Sequence, residues 1–478
     1  MDAPSFADCG VCVKEDAVKG KVVCATRAFA TGDVIFSEQA ATATPLYSNV
    51  LTEYVPRRQE VVKLMADMDG IAEVDRARCI LRCLAMYERD SSALQDVLQL
   101  TSANNERSLE AASALREQAP EIFPTGFTDT QLAKLIGVLN TNSHELENLG
   151  GSGLFLSACR MEHACAPNCS FTTYDAQLWM TAIKPIAEGD ALSIDYGNFF
   201  YRPTEERMSS LLESYGFLCT CDACLVLPDT TRSFQCPDKQ HCKEGVVWPV
   251  PIKPSELLVS PEDLEFAYTC GQCSRAATKS EVASFLAAEK KLLDGGFPES
   301  LEEVDSLVSQ GVLHARHYLL FWALDAIGCE AAALIAFLSD AEHHRALTQT
   351  WERIIAYMNL VVPAAHHEKT IYYDNLAQVR VILGDLKGAK QAYTRAFEVA
   401  CQVSGEHCVP THKLRRLMDN TPKNAAELRA IYEADAKPRR PSDESDDEYA
   451  NGAEEAEDDD DDDEDEDDSD DSDDSDEE

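Results

Sequence analysis

Closely spaced cysteines constrain the fold of this chain more than any other sequence feature. The 478 residues include 18 cysteines, and a Cys-x-Cys-x2-Cys run spans Cys219–Cys224. Cys236 and Cys242 follow it, and a Cys-x2-Cys pair comes later at Cys270 and Cys273. The N-terminus has neither the basic nor the apolar segment of a secretory leader, so we expect a compartment in which thiols stay reduced. Clustered cysteines in such a compartment indicate metal sites before disulfides.

Acidic residues are distributed unevenly along the chain. The net charge is −43, and residues 442–478 alone hold 26 Asp or Glu in 37 positions with no Lys or Arg. The rest of the chain keeps 59 acidic and 42 basic residues, a net charge of −17. A general nucleic-acid binder is excluded, because phosphate binding needs a basic surface. The acidic tail cannot bury enough apolar surface to fold alone, so we expect it to be disordered.

Periodic patterns predict strands at both ends of the first 200 or so residues and helices between them. β-Prone runs separated by Gly-Asp turns occur within residues 17–45 and 170–194. Apolar residues recur at helical spacing within about 50–140, where Asp129 is the predicted cap of the last helix. The pattern therefore favours a helical block inserted into a β-rich region.

After about residue 280 the pattern is helical almost to the end. Residues 373–397 combine small residues at packed positions with a Gly-Asp turn, which is typical of a tetratricopeptide-like hairpin. We expect this block to pack on the β-rich region, because two hairpins are fewer than a self-standing array needs. The most apolar stretch, Tyr318–Leu338, is interrupted by Asp325 and Glu330, which indicates a buried helix rather than a membrane span.

Three segments in the middle of the chain occur in an order that narrows the fold further. The first runs from Glu162 to Cys169 and contains His-Ala-Cys-Ala-Pro-Asn-Cys. The second runs from Gly189 to Gly197 and contains Asp-Tyr, and the third runs from Tyr215 to Cys224. Together they resemble the Asn-His-Ser-Cys-x-Pro-Asn motif, the Gly-Glu…Tyr motif and the post-SET zinc cysteines of SET-domain protein methyltransferases. Within that family the chain is most similar to the SET-and-MYND, or SMYD-like, group.

Further segments carry the resemblance to the SMYD-like group. Lys19-Gly20-Lys21 before a strand is similar to the group's N-terminal cofactor loop, and Thr141–His144 is similar to its Asn-Ser/Ala-Phe/His segment. A run from Arg207 leads directly into the zinc cysteines, and the C-terminal helices resemble the group's tetratricopeptide-like domain. The resemblance covers about residues 17–420.

The resemblance implies an α+β fold. Its parts are a β-rich SET domain with a helical insertion, a zinc-bound post-SET region, a C-terminal α-helical tetratricopeptide-like domain and a disordered acidic tail. The implied boundaries are an N-terminal extension at 1–16, the SET domain at 17–198 with the insertion at about 50–140, a post-SET and zinc-ribbon-like region at 199–280, the helical domain at 281–436 and the tail at 437–478.

The resemblance also implies protein-lysine N-methyltransferase activity of the SET type. S-adenosylmethionine would be the methyl donor, and a lysine side-chain amine in a basic protein, histone or non-histone, would be the acceptor. Tyr196 matches the catalytic tyrosine, and Tyr215 matches the second tyrosine of the lysine channel. The implied cofactor-binding positions are Lys19, Gly20, Lys21, Asn142, Glu162, His163, Tyr196 and Phe217.

Structural Zn²⁺ is the second implied cofactor, since four thiolates are enough for a closed tetrahedral site. The first predicted set is Cys165, Cys219, Cys221 and Cys224. The second, ribbon-like set is Cys236, Cys242, Cys270 and Cys273. In the second set His241 competes with Cys242 as a ligand, because the spacing of five residues is looser than usual.

The sequence departs from the pattern of the SMYD-like group in three places. Cys79 and Cys83 are the only cysteines between about 45 and 90, so we expect no MYND zinc finger. Val22 replaces the second glycine of the cofactor loop, and Glu162 replaces the asparagine before His163. A carboxylate there could pair with the ammonium group of the cofactor or repel its carboxylate. An alternative reading is therefore a catalytically weak SET-domain adaptor that binds basic proteins.

The expected partners follow from the charge and the resemblance. We expect a basic protein substrate, such as a histone, a ribosomal protein or another lysine-rich protein. We expect no direct nucleic-acid partner, no membrane and a monomeric chain. The expected location is the nucleus, the cytoplasm or both.

Overall fold

The computed structural model describes residues 6–16, 20–43, 58–71, 73–102, 106–146, 151–252, 259–334, 341–406 and 408–436. All contacts reported below lie within one unit, Met1–Arg429, and a second unit begins at Ala430. Lys19 of the predicted cofactor loop and the predicted disordered tail at 437–478 lie outside the described residues.

The β-prone runs near the N-terminus form strands that pair with later ones. Strand β1 (Val11–Asp16) and strand β2 (Gly20–Ala25) form an antiparallel hairpin. Strand β3 (Val34–Gln39) pairs with β9 (Gln177–Ala182), which also pairs with β8 (Cys169–Tyr174), and both pairings are antiparallel. The two halves of the β-rich region are therefore joined across the helical block.

A helical block separates strand β4 (Thr42–Ala43) from β5 (Ser143–Leu146). Both strands pair with β6 (Gly151–Leu154), and Thr42 and Ser143 lie on either side of Leu154. The block's buried side chains form a separate hydrophobic core. Its helices are α1 (Arg58–Ala66), α2 (Val74–Arg89), α3 (Gln95–Leu98), α4 (Glu106–Gln118) and α5 (Asp129–Asn142).

The N-terminal cap of α5 is Thr128, so the prediction of Asp129 as the cap is wrong by one residue. Thr128 has an extended backbone, and its hydroxyl accepts from the Gln131 N–H at 3.2 Å. The Gln131 side chain in turn accepts from the Thr128 N–H at 2.9 Å, which completes a capping box. Asp129 is the first helical residue instead, and its carboxylate pairs with Arg116 at 2.6 Å.

Two very short strands bring the motif segments together. Strand β7 (Glu162–His163) runs parallel to β10 (Ser193–Ile194), with His163 opposite Ile194. Helix α6 (Thr204–Tyr215) begins soon after β10 and ends at Gly216, whose φ of +74° is a conformation that glycine adopts readily.

A small antiparallel sheet lies after the first cysteine run. A four-residue helix, α7 (Asp222–Leu225), leads into it. Its strands are β11 (Phe234–Gln235), β12 (Val246–Pro251) and β13 (Phe266–Cys270), with β12 in the centre. The described residues therefore combine helices with sheets, as predicted.

Helices occupy most of the remaining described chain. Helix α13 (Leu386–Ser404) packs against α12 (His367–Ile382) and also against β8 and β9, where the Ser404 and Thr172 hydroxyls lie 2.7 Å apart. The C-terminal helices therefore pack on the β-rich region, as expected; their tetratricopeptide-like character stays a prediction. No described helix has the length and apolar composition needed to cross a bilayer. The helices are α8 (Lys279–Gly295), α9 (Leu301–Ser309), α10 (Tyr318–Leu334), α11 (Ala341–Val361), α12 (His367–Ile382), α13 (Leu386–Ser404), α14 (Val409–Asp419) and α15 (Ala425–Ala436).

A buried charge network fastens the segment before β11 to the helices. Arg232 donates two hydrogen bonds to the Glu289 carboxylate of α8, at 2.9 and 2.6 Å, and a third to Glu205 at 3.0 Å. His317 also contacts Glu289, with 3.1 Å between Nε2 and Oε1. Burial alone would raise the pKa of Glu289, but the hydrogen bonds from His317 and Arg232 lower it to about 2. Glu289 is therefore a buried carboxylate whose charge is fully compensated.

We expect Glu289→Gln to lower the free energy of unfolding at pH 7 by about 3–5 kcal/mol, because it leaves the Arg232 guanidinium buried without its counter-charge. The pKa of Glu289 falls from 4.5 to about 2 on folding, so its stabilisation is fully present above about pH 4.5. It is lost as the pH falls toward 2, and the difference between the two proteins should narrow over that range.

Urea unfolding of both proteins at pH 7 and near pH 3 measures this effect. The matched control is Glu302→Gln, an exposed carboxylate on α9, which should change stability by less than about 0.5 kcal/mol. A Glu289→Gln protein as stable as the wild type at pH 7 would contradict the role given to the network.

Candidate functional site

Four ring side chains from the three motif segments meet at one place. Tyr196 follows β10, and its ring centroid lies 4.9 Å from that of Tyr215, at the end of α6. The Phe217 ring lies 6.3 Å from Tyr196, and the His163 ring of β7 lies 5.3 Å from it. The turn at Gly216 allows both Tyr215 and Phe217 to reach the same cluster. The structure thus brings together the two predicted catalytic tyrosines, of which Tyr196 is also a predicted cofactor-binding residue, and two further predicted cofactor-binding residues, His163 and Phe217.

Both tyrosine hydroxyls in this cluster are held by hydrogen bonds. The Tyr196 hydroxyl donates to the Met161 carbonyl at 2.6 Å, and the Tyr215 hydroxyl donates to the Tyr196 carbonyl at 3.1 Å. Burial raises the pKa of Tyr196, and the nearby Tyr215 and Glu162 raise it further. Burial also raises the pKa of Tyr215. Both phenols therefore stay protonated and neutral at physiological pH.

The His163 imidazole is engaged by the protein at both nitrogens. Its side chain is only 1% exposed, Nδ1 accepts from the Tyr196 N–H at 3.2 Å, and Nε2 lies 3.3 Å from the Cys165 sulfur. Burial lowers the pKa of His163 to about 4, so the ring is neutral. A contact between His163 and a cofactor would therefore involve its backbone rather than these two ring nitrogens.

Two acidic residues lie beside the ring cluster. Glu162 is half-buried; burial is the main cause of the raised pKa values of Tyr196 and of the Cys24 thiol in β2, and the charge of Glu162 raises both further. It therefore lies near both Tyr196 and the strand that follows the predicted cofactor loop. Asp195 is buried, and burial raises its pKa to about 6 against the opposing influence of the Gly197 N–H. Sequence reasoning gave Asp195 no role, although it immediately precedes Tyr196 in the second motif.

The other described cofactor positions lie away from the four rings or on the surface. Both amide hydrogens of Asn142 are used at the end of α5, donating to the Thr101 and Val138 carbonyls at 2.8 Å each. Lys21 is exposed on β2 opposite Glu15 of β1. Gly20, the first residue of β2, pairs with Asp16. The structure does not bring the Asn142 amide group into the ring cluster.

Asn168 is a second residue that sequence reasoning left without a role. Its side-chain amide donates to the Ala191 carbonyl at 2.8 Å, and its side-chain oxygen accepts from the Ser193 N–H at 2.9 Å. These two bonds hold the chain that leads into β10 and Tyr196. The Pro-Asn pair in the first motif was the sequence feature that could have pointed to this role of Asn168.

The first predicted set of four cysteines is brought together in the structure. The sulfurs of all four lie within 4.8 Å of one another, and those of Cys165 and Cys224 are 3.5 Å apart. Hydrogen bonds from the other three thiols lower the pKa of Cys221, which favours a thiolate at that position, while the pKa values of the other three thiols are raised. The members are Cys165, Cys219, Cys221 and Cys224.

Arg207 shows that this set can accommodate the charge of a metal–thiolate centre. Four thiolates around Zn²⁺ carry a net charge of −2, which needs compensation when it is buried. Burial alone would lower the pKa of Arg207, but Asp229 and the thiols of Cys224 and Cys165 raise it. The Arg207 Nε is buried and has no hydrogen-bond partner among the described residues. The residues present therefore fit a four-coordinate zinc ion.

The second predicted set is also assembled, and it contains Cys242 rather than His241. His241 is 79% exposed at its side chain and lies 2.9 Å from the Asp238 carboxylate. Burial alone would raise the pKa of Cys270, but backbone N–H groups of Cys273 and Gln272 lower it to about 7. The four sulfurs lie within 4.8 Å of one another, and they belong to Cys236, Cys242, Cys270 and Cys273.

Gly245 closes the second set from one side. A Cβ atom at Gly245 would lie 2.3 Å from the Cys242 sulfur and 2.7 Å from the Cys270 sulfur. Such distances are far inside van der Waals contact, so no other residue fits without moving the sulfurs. The space kept open by Gly245 matches a compact metal centre, and this set could also hold zinc.

Comparison with known proteins identifies the part of the chain that contains His163 and Tyr196 of the ring cluster. Residues 10–197 match the family model described as the SET domain. A stretch of 80 residues is 36% identical to the N-lysine methyltransferase SMYD2-A of Xenopus laevis, covering 17% of this chain and 18% of that protein. A stretch of 105 residues is 33% identical to the human N-lysine methyltransferase SMYD2, covering 21% of this chain and 24% of that protein.

Two further similarities complete the comparison. The protein-lysine N-trimethyltransferase SMYD5 of Gallus gallus is 31% identical over 105 residues, covering 21% of this chain and 25% of that protein. The structure is also similar to a crystal structure of the SET domain of LSMT bound to lysine and AdoHcy. The match covers 89% of this chain and 95% of that chain, at 12% sequence identity and a TM-score of 0.32. The chain thus spans a quarter or less of the length of these three curated relatives. It carries a SET domain and has SMYD-family relatives at modest identity.

We expect the purified protein to hold two zinc ions per chain, one in each cysteine set. Cys221→Ser should retain one ion and should weaken S-adenosylmethionine binding, because the segment that carries Phe217 would lose its anchor. Gly245→Ala should also retain one ion but should leave S-adenosylmethionine binding nearly unchanged, because only the second set is disturbed.

Elemental analysis and calorimetric titration measure these two quantities. The matched control is Gly295→Ala at the end of α8, where an added Cβ would meet nothing within 4 Å, and it should retain both ions. Absence of zinc from the wild-type protein would contradict both assignments.

Proposed function

We propose that this chain transfers a methyl group from S-adenosylmethionine to the side-chain amine of lysine in a protein. The observation that carries the proposal is the cluster of half-buried Tyr196, Tyr215 and Phe217 around the buried His163, beside a four-cysteine set. This cluster joins a segment that matches the SET-domain model to the segment that follows it. The lysine methyltransferase names of the SMYD relatives support the same activity.

The cluster provides the conditions that this reaction needs. S-adenosylmethionine would supply the methyl group on a sulfonium, a leaving group that requires no metal at the reacting centre. A lysine amine must be neutral to attack, and surroundings of buried aromatic rings lower the pKa of an amine by desolvation. The hydroxyls of Tyr196 and Tyr215 remain neutral and fixed in position, so they can orient the amine for in-line attack.

The two zinc ions have a structural role in this proposal. The first set ties Cys165, two residues after His163, to the segment that carries Tyr215 and Phe217. The second set lies in the small sheet of β11, β12 and β13 and is separated from the rings by sequence and by fold. We therefore assign the completion of the active site to the first ion alone.

The charge of the chain supports a basic protein as the substrate. The net charge of −17 outside residues 442–478 and the 26 acidic residues within them create a negative field. Such a field raises the encounter rate with basic partners more than it strengthens the final complex. A lysine-rich protein in the nucleus or the cytoplasm is the substrate that we propose.

We further propose that the chain is a SMYD-like protein without a MYND finger and with tetratricopeptide-like C-terminal helices. Cys79 and Cys83 are 1% and 0% exposed in α2, where they belong to the core of the helical block. Buried positions on one helix suit packing rather than the loops of a zinc finger. The extensive packing of α12 on α13 supports the helical hairpin.

A catalytically weak adaptor is the second candidate function. The observation that favours it is the state of Asn142, whose amide hydrogens are already bonded to two carbonyls of the helical block. Glu162 adds a carboxylate close to Tyr196. An adaptor would bind basic proteins but would show little turnover with S-adenosylmethionine.

Tyr196→Phe should lower turnover by about 100-fold or more while leaving S-adenosylmethionine affinity nearly unchanged, because the lost hydroxyl acts mainly in the transition state. Single-turnover methylation of histone or ribosomal protein mixtures and calorimetric titration measure the two quantities. Tyr373→Phe, in α12, is the matched control and should behave as the wild type. A Tyr196→Phe protein with wild-type turnover would remove the hydroxyl from the reaction, and an inactive wild type that binds basic proteins would favour the adaptor.

Glu162→Asn tests whether the carboxylate strengthens or weakens the binding of the cofactor. We expect weaker S-adenosylmethionine binding in the variant, because the carboxylate is placed near Tyr196 where it can pair with the ammonium group of the cofactor. Calorimetric titration gives the affinity, with Glu302→Gln on α9 as a remote control for loss of one carboxylate. Tighter binding by the variant would instead identify Glu162 as an impairment.

A further inference from the structure

The segment Met161–Cys165 makes three separate contacts that converge on the active-site cluster. The Met161 carbonyl accepts from the Tyr196 hydroxyl at 2.6 Å. The His163 Nδ1 accepts from the Tyr196 backbone N–H at 3.2 Å. Cys165 contributes its sulfur to the first cysteine set. Five consecutive residues thus hold Tyr196 at its hydroxyl and at its backbone while also supplying one metal ligand.

The hydrogen bonds fix which nitrogen of His163 carries the ring proton. A backbone N–H can donate only to a nitrogen with a free lone pair, so the Nδ1 that accepts from Tyr196 is unprotonated. The Asp195 carboxylate lies 3.8 Å from the same Nδ1, beyond hydrogen-bond distance, and does not hold a proton there. Because this bond leaves no proton on Nδ1, the ring carries a single proton, which resides on Nε2, 3.3 Å from the Cys165 sulfur.

We propose that His163 is a positioning residue that couples the first zinc site to Tyr196. Its Nε2–H donates to the Cys165 sulfur, while its Nδ1 accepts from the Tyr196 N–H. A metal-bound thiolate carries no proton and can only accept, so metal binding by Cys165 selects the tautomer that holds Tyr196. This inference rests on the function proposed above and adds a physical link between metal occupancy and the reacting centre.

The location of the ring makes this link direct. The imidazole is 1% exposed and packs edge-on against the Tyr196 ring, so no bulk water competes for either nitrogen. Residues that hydrogen-bond to metal ligands orient those ligands, and their loss costs about 10- to 100-fold in metal affinity or activity. The other nitrogen of His163 also accepts from the backbone of Tyr196, so one ring contacts both the metal ligand and the tyrosine proposed as catalytic.

Replacement of Zn²⁺ by ¹¹³Cd²⁺ in protein labelled with ¹⁵N-histidine tests the proposal without measuring activity. We expect His163 to carry its proton on Nε2 and to show a scalar coupling between that proton and the metal through the Cys165 sulfur. The signal is assigned by its absence from His163→Asn. A bound metal with the His163 proton on Nδ1, or with no coupling, would overturn the proposal.

Two substitutions separate the two hydrogen bonds. The amide nitrogen of Gln occupies a position similar to Nε2, so His163→Gln should keep the contact with Cys165 and lose the acceptor for Tyr196. The side-chain oxygen of Asn lies near the position of Nδ1, so His163→Asn should keep the acceptor and lose the contact with the sulfur. His412→Gln, at an exposed position on α14, is the matched control.

Each substitution has its own expected signature. His163→Gln should keep its metal and exchange the Tyr196 amide proton at least about 10-fold faster, whereas His163→Asn should keep that amide protected and lose metal affinity by about 10- to 100-fold. Identical behaviour of the two variants in both measurements would reduce His163 to a packing residue. Failure of the proposed function would give a different result. The coupling and the amide protection would then be present in a wild-type protein that transfers no methyl group.

Discussion

The convergence of four sulfur atoms at the first cysteine set is the constraint on which the ring cluster depends. Three of these sulfurs belong to the short segment after α6, and the fourth belongs to Cys165. Among the described residues, ring contacts, one hydrogen bond and the apolar packing of α6 also join the segment carrying Tyr215 and Phe217 to the rest of the cluster. A metal centre supplies this junction with far less chain than a hydrophobic core of equal strength would need.

Two buried arginines help to fix the position of the chain between the two cysteine sets. Asp229 accepts from the Thr204 N–H at 2.8 Å and lies 3.9 Å from Arg207, while Arg232 is bonded to Glu289 of α8. The chain between the two cysteine sets is therefore fixed to α6 on one side and to the C-terminal helices on the other. Burying either arginine without its carboxylate partner would be costly, so the two ion pairs favour one arrangement of this part of the chain more strongly than apolar contacts would.

Local patterns made much of this structure predictable from the sequence. The cysteine spacings indicated two groups of metal ligands, and the family resemblance added Cys165 to the first group. Alternating or helical periodicity indicated many of the strands and helices, because periodic signals depend on residues close together in the chain. The Asn142 amide, the His163 nitrogens and the Arg232–Glu289 pair could not be predicted in the same way. Their partners lie on other elements, and the direction of a side chain is decided by packing after the elements assemble. The choice of Cys242 over His241 likewise needed the fold, since Gly245 shapes the space around the sulfurs.

The helical insertion has a consequence for the order in which the chain assembles. Strands β4 and β5 flank the insertion, yet both must reach the same central strand, β6. Closing a flexible loop of that length would delay pairing, because the entropy of closure is lost before any contact compensates for it. The block between them has its own hydrophobic core, so it can collapse first and bring its two ends together. A long-range pairing can in this way become a short-range one, so the insertion need not delay formation of the sheet that it interrupts.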